Sequence, residues 1–166
     1  AVDEVGTEVN ISASELVSQQ PVACSTGTQI AVKNLFFNVP ARRKFLKSDS
    51  VELKHIITEF QRVALAYPEV AFSLSHNGSE LYRLPASGLK QRIIGLFGKT
   101  INQHLVDCST QTSIVNIGGY IGKPEGAKKT AGEQFFFVNG RFMKNPFLHK
   151  AVMNAYNRLL PPDTYP

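Results

Sequence analysis

The 166 residues carry 18 Lys plus Arg against 13 Asp plus Glu, a formal charge of +5, with 43% hydrophobic and 19% charged side chains. That length suits one large domain, or one domain with part of a neighbour, and the composition excludes a disordered chain. No run of 18 apolar residues can span a bilayer, residues 1–8 show no basic and apolar leader, and Cys24 and Cys108 fit no metal-ligand spacing, so a cytoplasmic protein with reduced thiols and no membrane partner is expected.

In chain order, Val5, Thr7, Val9 and Ile11 alternate with Gly6, Glu8 and Asn10 at the period of a half-buried strand. Gln20-Pro21 predicts a loop, and Thr28, Ile30 and Val32 after Gly27 predict a second strand running into Leu35-Phe36-Phe37. Pro40 is placed to start a short basic helix through Ala41, Arg42, Arg43, Lys44 and Phe45. Asp49 with Glu52 resembles a capping box, opening a long helix whose Leu53, Ile56, Ile57, Phe60, Val63 and Ala64 share one face and which Pro68 ends.

Asn77-Gly78 is the dipeptide that most readily takes the two positive φ angles of a type I′ turn, so residues 70–84 read as a β-hairpin. Ser87 can cap a helix from Leu89 through Ile93, Ile94 and Phe97 to Gly98. Residues 113–121 read as a strand with a bulge or close packing at Gly118-Gly119, and residues 122–133, nearly free of apolar side chains, as a mobile loop. Phe135, Phe136, Phe137 and Val138 form a core strand rather than an exposed base-stacking platform, because adjacent aromatics point to both faces of a sheet. A last helix from Asn145-Pro146 buries Phe147, Leu148, Ala151, Val152, Ala155 and Leu159 and stops at Pro161-Pro162. The order of elements predicts an α+β fold with helices covering a mixed or antiparallel sheet.

The charge is unevenly spread. Asp3, Glu4, Glu8 and Glu15 make the opening acidic, whereas residues 33–47 (Lys33, Arg42, Arg43, Lys44, Lys47) and 134–158 (Arg141, Lys144, Lys150, Arg158) contain no acid. If these stretches fold side by side, their surface suits a polyanion such as DNA. Catalytic patterns are nearly absent: His55, His76, His104 and His149 fall in four separate elements without zinc spacing, and no phosphate-binding loop or nucleophile elbow occurs.

The string GTQIAVKNLFFNVPARRKFLK at residues 27–47 closely resembles the fourth ATPase motif of MutL-type DNA mismatch repair proteins. The resemblance continues through the helix with Glu52 and His55, the hairpin LSHNGSE, and FVNGRFMK with its following helix. It implies residues 1–47 as the last strands of a GHKL-type ATPase domain and residues 48–166 as a truncated transducer domain, similar to the second domain of gyrase B, with a mixed sheet and a left-handed βαβ crossover. Gly27 and Thr28 match the Gly-Thr that helps hold the adenine end of ATP. Lys47 and Arg141 match DNA-contacting positions, a further family arginine is replaced by Pro146, and Arg43, Lys144 and Lys150 can supply equivalent charge.

The family's general base, magnesium ligand, adenine-binding and lid motifs are not found in these residues, and its transducer lysine follows the final helix. The resemblance therefore implies a fragment with no ATPase activity of its own. ATP and Mg would serve the full-length parent, a homodimer that works with a mismatch-recognition protein and binds DNA weakly and without sequence preference. An RNA-binding α+β module and a topoisomerase-type transducer fragment are the rival readings; the Pro-Ala-Arg-Arg-Lys-Phe-Leu and Phe-Val-Asn-Gly-Arg strings favour mismatch repair.

Overall fold

The computed structural model describes residues 5–166, so Asp3 and Glu4 of the acidic opening lie outside the described residues. The chain divides between Glu52 and Leu53 into two compact units.

In the first unit, β1 (Val5–Ser12) pairs antiparallel with β2 (Glu15–Ala23). Ala13 and Ser14 turn the chain with φ of 51° and 69°, a task usually given to Asn or Gly, and this hid the hairpin from sequence reading. Gln20-Pro21, expected as a loop, lies inside β2 opposite Glu8 and Thr7. A two-stranded ribbon has only edges, and an edge tolerates a residue without an N–H. The strand expected from Thr28 to Val32 does not form; Ile30 and Val32 are 82% and 75% exposed, so the alternation has no partner strand to bury it within its unit. Residues 35–38 make a turn, with Phe36 at φ 65°, before the short helix α1 (Pro40–Arg43), which starts at Pro40 as expected.

Helix α2 (Asp49–Ala66) begins one residue earlier than its capping pattern suggested. Asp49 is its first helical residue, and the Glu52 carboxylate reaches back to accept the Lys47 N–H at 2.9 Å. This satisfies a donor just outside the helix and places negative charge at its positive end.

The second unit holds the core, built on Ala64 and Leu65 of α2, Leu84 of β4 (Ser79–Leu84) and Leu96 of α3 (Leu89–Phe97). Phe60, Phe72, Tyr82, Leu89, Ile93, Phe97, Phe135 and Phe137 pack around them. Ile56 and Val63 are exposed, so the buried stripe of α2 runs through Leu53, Ile57, Phe60, Ala64 and Leu65, rotated from the expected face. β3 (Phe72–His76) and β4 form the hairpin expected at Asn77-Gly78, with φ of 49° and 77°. Gly88, rather than Ser87, is the N-cap of α3, without a side-chain bond, and Gly98 ends the helix at φ 93°. A Cβ on Gly95 would stand 2.9 Å from Leu84 Cδ2, so the absent side chain lets α3 approach β4 closely.

β5 (Leu105–Gln111), which no periodicity announced, pairs antiparallel with β6 (Asn116–Gly122). The register runs through Gly118 and Gly119 without a shift, so no bulge forms there. Residues 122–133 are more anchored than their composition suggests. They include a 3-10 turn at Pro124–Gly126, paired backbone bonds of 2.8 Å between Lys128 and Tyr165, and a Lys128–Glu133 ion pair of 2.6 Å. β7 (Phe137–Val138) and β8 (Arg141–Phe142) form a short hairpin before α4 (Pro146–Ala155).

The α+β class is as expected, but the strands pair as four two-stranded antiparallel ladders rather than one mixed sheet. Every ladder joins sequence neighbours, for which loop closure costs least entropy. No parallel pair occurs among the described residues, so the left-handed crossover implied by the resemblance is not part of the architecture described.

One polar side chain lies within this core. Arg92 of α3 is 1% exposed, and its Nη2 donates to the carbonyls of Pro68, Val70 and Pro85 at 2.7, 2.6 and 3.0 Å. Its guanidinium lies 5.3 Å from the Phe72 ring centroid. Burial pushes its pKa below the ordinary arginine value and the charge of Glu69 opposes that shift; arginine nonetheless stays cationic. Replacing Arg92 with Leu leaves three part-buried carbonyls without their donor, and an unpaired buried group costs about 1–3 kcal/mol. Urea unfolding of Arg92→Leu is expected to show a loss of at least about 3 kcal/mol, partly recovered by Arg92→Lys; a loss below about 1 kcal/mol would contradict this role.

Candidate nucleic-acid interface

In the β7–β8 hairpin, Phe137 faces Phe142 across the ladder and Val138 faces Arg141. Alternation therefore sends the first pair inward, with ring centroids 5.9 Å apart, and leaves Val138 and Arg141 exposed. Asn139 and Gly140 close the turn at φ 50° and 75°. Phe142 also lies 6.2 Å from Phe135, and the Arg62 guanidinium of α2 sits 4.2 Å from its ring centroid. Arg62 is paired in turn with Glu59. The three adjacent phenylalanines are half-buried and Phe135 and Phe137 pack on the core, as expected, but the strand expected from Phe135 to Val138 holds only Phe137 and Val138, and Val138 is exposed.

After the hairpin, the Met143 N–H donates to the Phe136 carbonyl at 2.8 Å. The Asn145 side chain then caps α4, accepting from the N–H groups of Phe147 and Leu148 at 2.8 and 3.4 Å. Pro146 occupies the first turn, where its missing N–H costs nothing. The face expected to be buried is largely open. Phe147, Leu148, Ala151, Ala155 and Leu159 are exposed and Val152 is half-buried, and the helix ends at Ala155, ahead of Pro161-Pro162. The anchor is instead Tyr156, just beyond the helix, buried with its hydroxyl donating to the Gly122 carbonyl of β6. Near the start of α4, His149 Nδ1 meets Gln134 Oε1 at 2.6 Å.

Arg141, Lys144 and Lys150 thus fall within ten residues of hairpin, connection and helix. All three are exposed, and none forms an ion pair or side-chain hydrogen bond among the described residues. The other expected site residues belong to the first unit. Arg43 is exposed in the last turn of α1, and Lys47 is exposed with its N–H held by Glu52. Gly27 and Thr28 are both exposed in the irregular segment after β2. A Cβ on Gly27 would meet nothing within 4 Å, yet its φ is 142°, so glycine is required there by backbone conformation and not by close approach.

Thr28 offers one exposed hydroxyl, and among the described residues no group of three or more His, Cys, Asp or Glu side chains converges as a metal site. Sequence reading missed Arg62 and Arg92 as structural cations. Arg92 had a signal, since it falls between Leu89 and Leu96 on the apolar side of its helix.

A family model described as "DNA mismatch repair protein, C-terminal domain" matches residues 93–166. A DNA mismatch repair protein MutL from Phocaeicola vulgatus is 54% identical over 159 residues, covering 96% of this chain and 26% of its own length. The MutL of Flavobacterium johnsoniae is 56% identical over 164 residues, covering 99% and 26%. Among solved structures, the Aquifex aeolicus MutL ATPase domain complexed with ADP superposes with a TM-score of 0.77 at 27% identity, over 91% of this chain and 58% of that one. The fold is therefore the α+β architecture found in GHKL-type ATPase domains. The chain belongs to the MutL-type DNA mismatch repair proteins and spans about a quarter of the length of the relatives it matches. No described helix is long and apolar enough to cross a membrane.

The buried tyrosine makes the seating of α4 sensitive to alkali. Burial, with the nearby Cys108 thiol adding to it, raises the Tyr156 pKa above its ordinary value of 10.0. A group whose folded pKa is raised stabilises the fold fully below its unfolded pKa and ceases to do so as pH rises through the folded one. Unfolding measured across the alkaline range should show stability lost above about pH 10, with a shallower loss in Tyr156→Phe. Identical alkaline profiles would contradict the assignment.

Proposed function

We propose that this chain is the segment of a MutL mismatch repair protein through which ATP binding elsewhere in the parent is coupled to dimer closure and to contact with DNA. The observation that carries this reading is the exposed trio Arg141, Lys144 and Lys150, unpaired among the described residues, on the β7–β8 hairpin, the connection after it and α4. Arg43 and Lys47 of the first unit are proposed as further phosphate contacts. Phosphates require positive charge at the right height rather than a fixed side chain, so Lys144 and Lys150 can serve despite Pro146.

The ADP-bound Aquifex relative supports nucleotide binding by the parent, with Gly27 and Thr28 as the part of that site contributed here. On this reading the chain alone is not an ATPase, and Mg is held by other parts of the parent. The parent is proposed to be a cytoplasmic homodimer that works beside a mismatch-recognition protein.

If about four phosphates are neutralised, log K falls with log salt at a slope of about −3.6, or on the order of a hundredfold between 50 and 200 mM. Fluorescence anisotropy with a labelled duplex is expected to give that slope. The Arg141→Glu, Lys144→Glu double variant should bind more weakly with a slope nearer about −1.8, without loss of fold, because both side chains are exposed. An unchanged slope in the double variant, or binding insensitive to salt, would show that DNA does not sit on this surface.

A further inference from the structure

His149, in the first turn of α4, is where segments far apart in sequence meet. Its Nδ1–H donates at 2.6 Å to Oε1 of Gln134, which lies ahead of β7, and its imidazole faces the Tyr165 ring, beyond α4, with centroids 6.4 Å apart. Nδ1 must carry the proton, because a carbonyl oxygen only accepts. Tyr165 exchanges two backbone bonds of 2.8 Å with Lys128, and the Lys128 ammonium pairs with the carboxylate of Glu133, the chain neighbour of Gln134. The contacts therefore close a circuit through Lys128, Glu133, Gln134, His149 and Tyr165, which ties α4 to the segment before β7 and to the segment after the helix. Gln134 Nε2 also donates to Met153 Sδ at 3.8 Å. Residues four apart share one helix face, so a single amide grips α4 at His149 and Met153 and fixes its rotation about its own axis. Lys150 stands about 100° round the helix from His149 and is turned to solvent.

We propose that His149 is the positioning residue of the cationic surface: the circuit closed through it sets the rotation of α4 and hence the direction of Lys150. This rests on the DNA-binding reading given above. The His149–Gln134 bond and the Lys128–Glu133 pair are exposed, and an exposed contact of either kind adds little to global stability. What the circuit governs is local order. A lysine already held in one direction meets a phosphate without being ordered first, whereas the same lysine on a loosened helix meets it at an entropic cost. Opening the circuit therefore lowers affinity without removing a charge.

Amide exchange of the full chain, followed by NMR without DNA, reads the circuit by itself. His149→Ala is expected to speed exchange at Lys128 and Tyr165 about fivefold while leaving the urea midpoint near that of the wild type. In anisotropy with a labelled duplex over a salt series, the same variant should bind about threefold more weakly at every salt concentration with the wild-type slope, whereas Lys150→Ala should make the slope shallower by about 0.9. Gln134→Leu opens the circuit at another point and should act as His149→Ala does. His149→Asn restores a side-chain N–H donor toward Gln134 and should recover part of the affinity. Wild-type exchange in both His149→Ala and Gln134→Leu would overturn the circuit. Faster exchange with wild-type affinity would overturn the positioning role and leave the DNA surface standing. A shallower slope in His149→Ala would make His149 a phosphate contact in its own right and overturn the proposal. Failure of the wild type to bind the duplex at low salt would overturn the DNA surface itself, and the positioning role with it.

Discussion

The second unit depends on the burial of one guanidinium. Arg92 Nη2 holds the carbonyls of Pro68 and Val70, where the chain passes from α2 to β3, and of Pro85, where it leaves β4 for α3. Two connections, α2 to β3 and β4 to α3, are thereby joined from a single side chain. The cation is costly to bury, and Nε and Nη1 have no hydrogen-bond partner. The Phe72 ring face and the charge of Glu69 offset part of that cost. A hydrophobic residue there would leave these part-buried loop carbonyls without their donor.

The exposed cations are positioned by what this core supports. Phe135 and Phe137 pack on the Leu65–Leu84–Leu96 cluster, Phe142 lies against both rings, and Arg62 lies over Phe142. With the inner face of the hairpin held by aromatic contacts, strand alternation turns Arg141 outward. The Asn145 cap and the Tyr156 hydroxyl then fix the two ends of α4. Among the described residues nothing binds these charges, which suits a surface that follows a phosphate backbone rather than reading bases.

Much of this was legible in the sequence because the signals were local. Asn77-Gly78 and Asn139-Gly140 specify turns by their own backbone preferences, Pro40 and Pro146 start helices, and Pro68 stops one. What failed depended on distant partners. Ile30 and Val32 alternate like a strand but find none to pair with in their unit, and Phe147 follows a helical apolar pattern that nothing covers. β5 carries polar residues on both faces, so no alternation marked it, and Ala13-Ser14 forms a turn with residues that rarely do. The positive charge of Arg141, Lys144 and Lys150 is plain in the sequence; the order that places Arg141 on a strand beside the turn and Lys150 on a helix was visible only in the fold.

The claim that DNA lies along the hairpin and α4 is tested most directly by lysine acetylation of the chain with and without duplex DNA at low salt, read by mass spectrometry. The account predicts that DNA slows modification of Lys144 and Lys150 and leaves Lys54 and Lys99, which are exposed on α2 and after α3, unchanged. Equal protection of all four lysines, or protection of Lys54 and Lys99 alone, would contradict it.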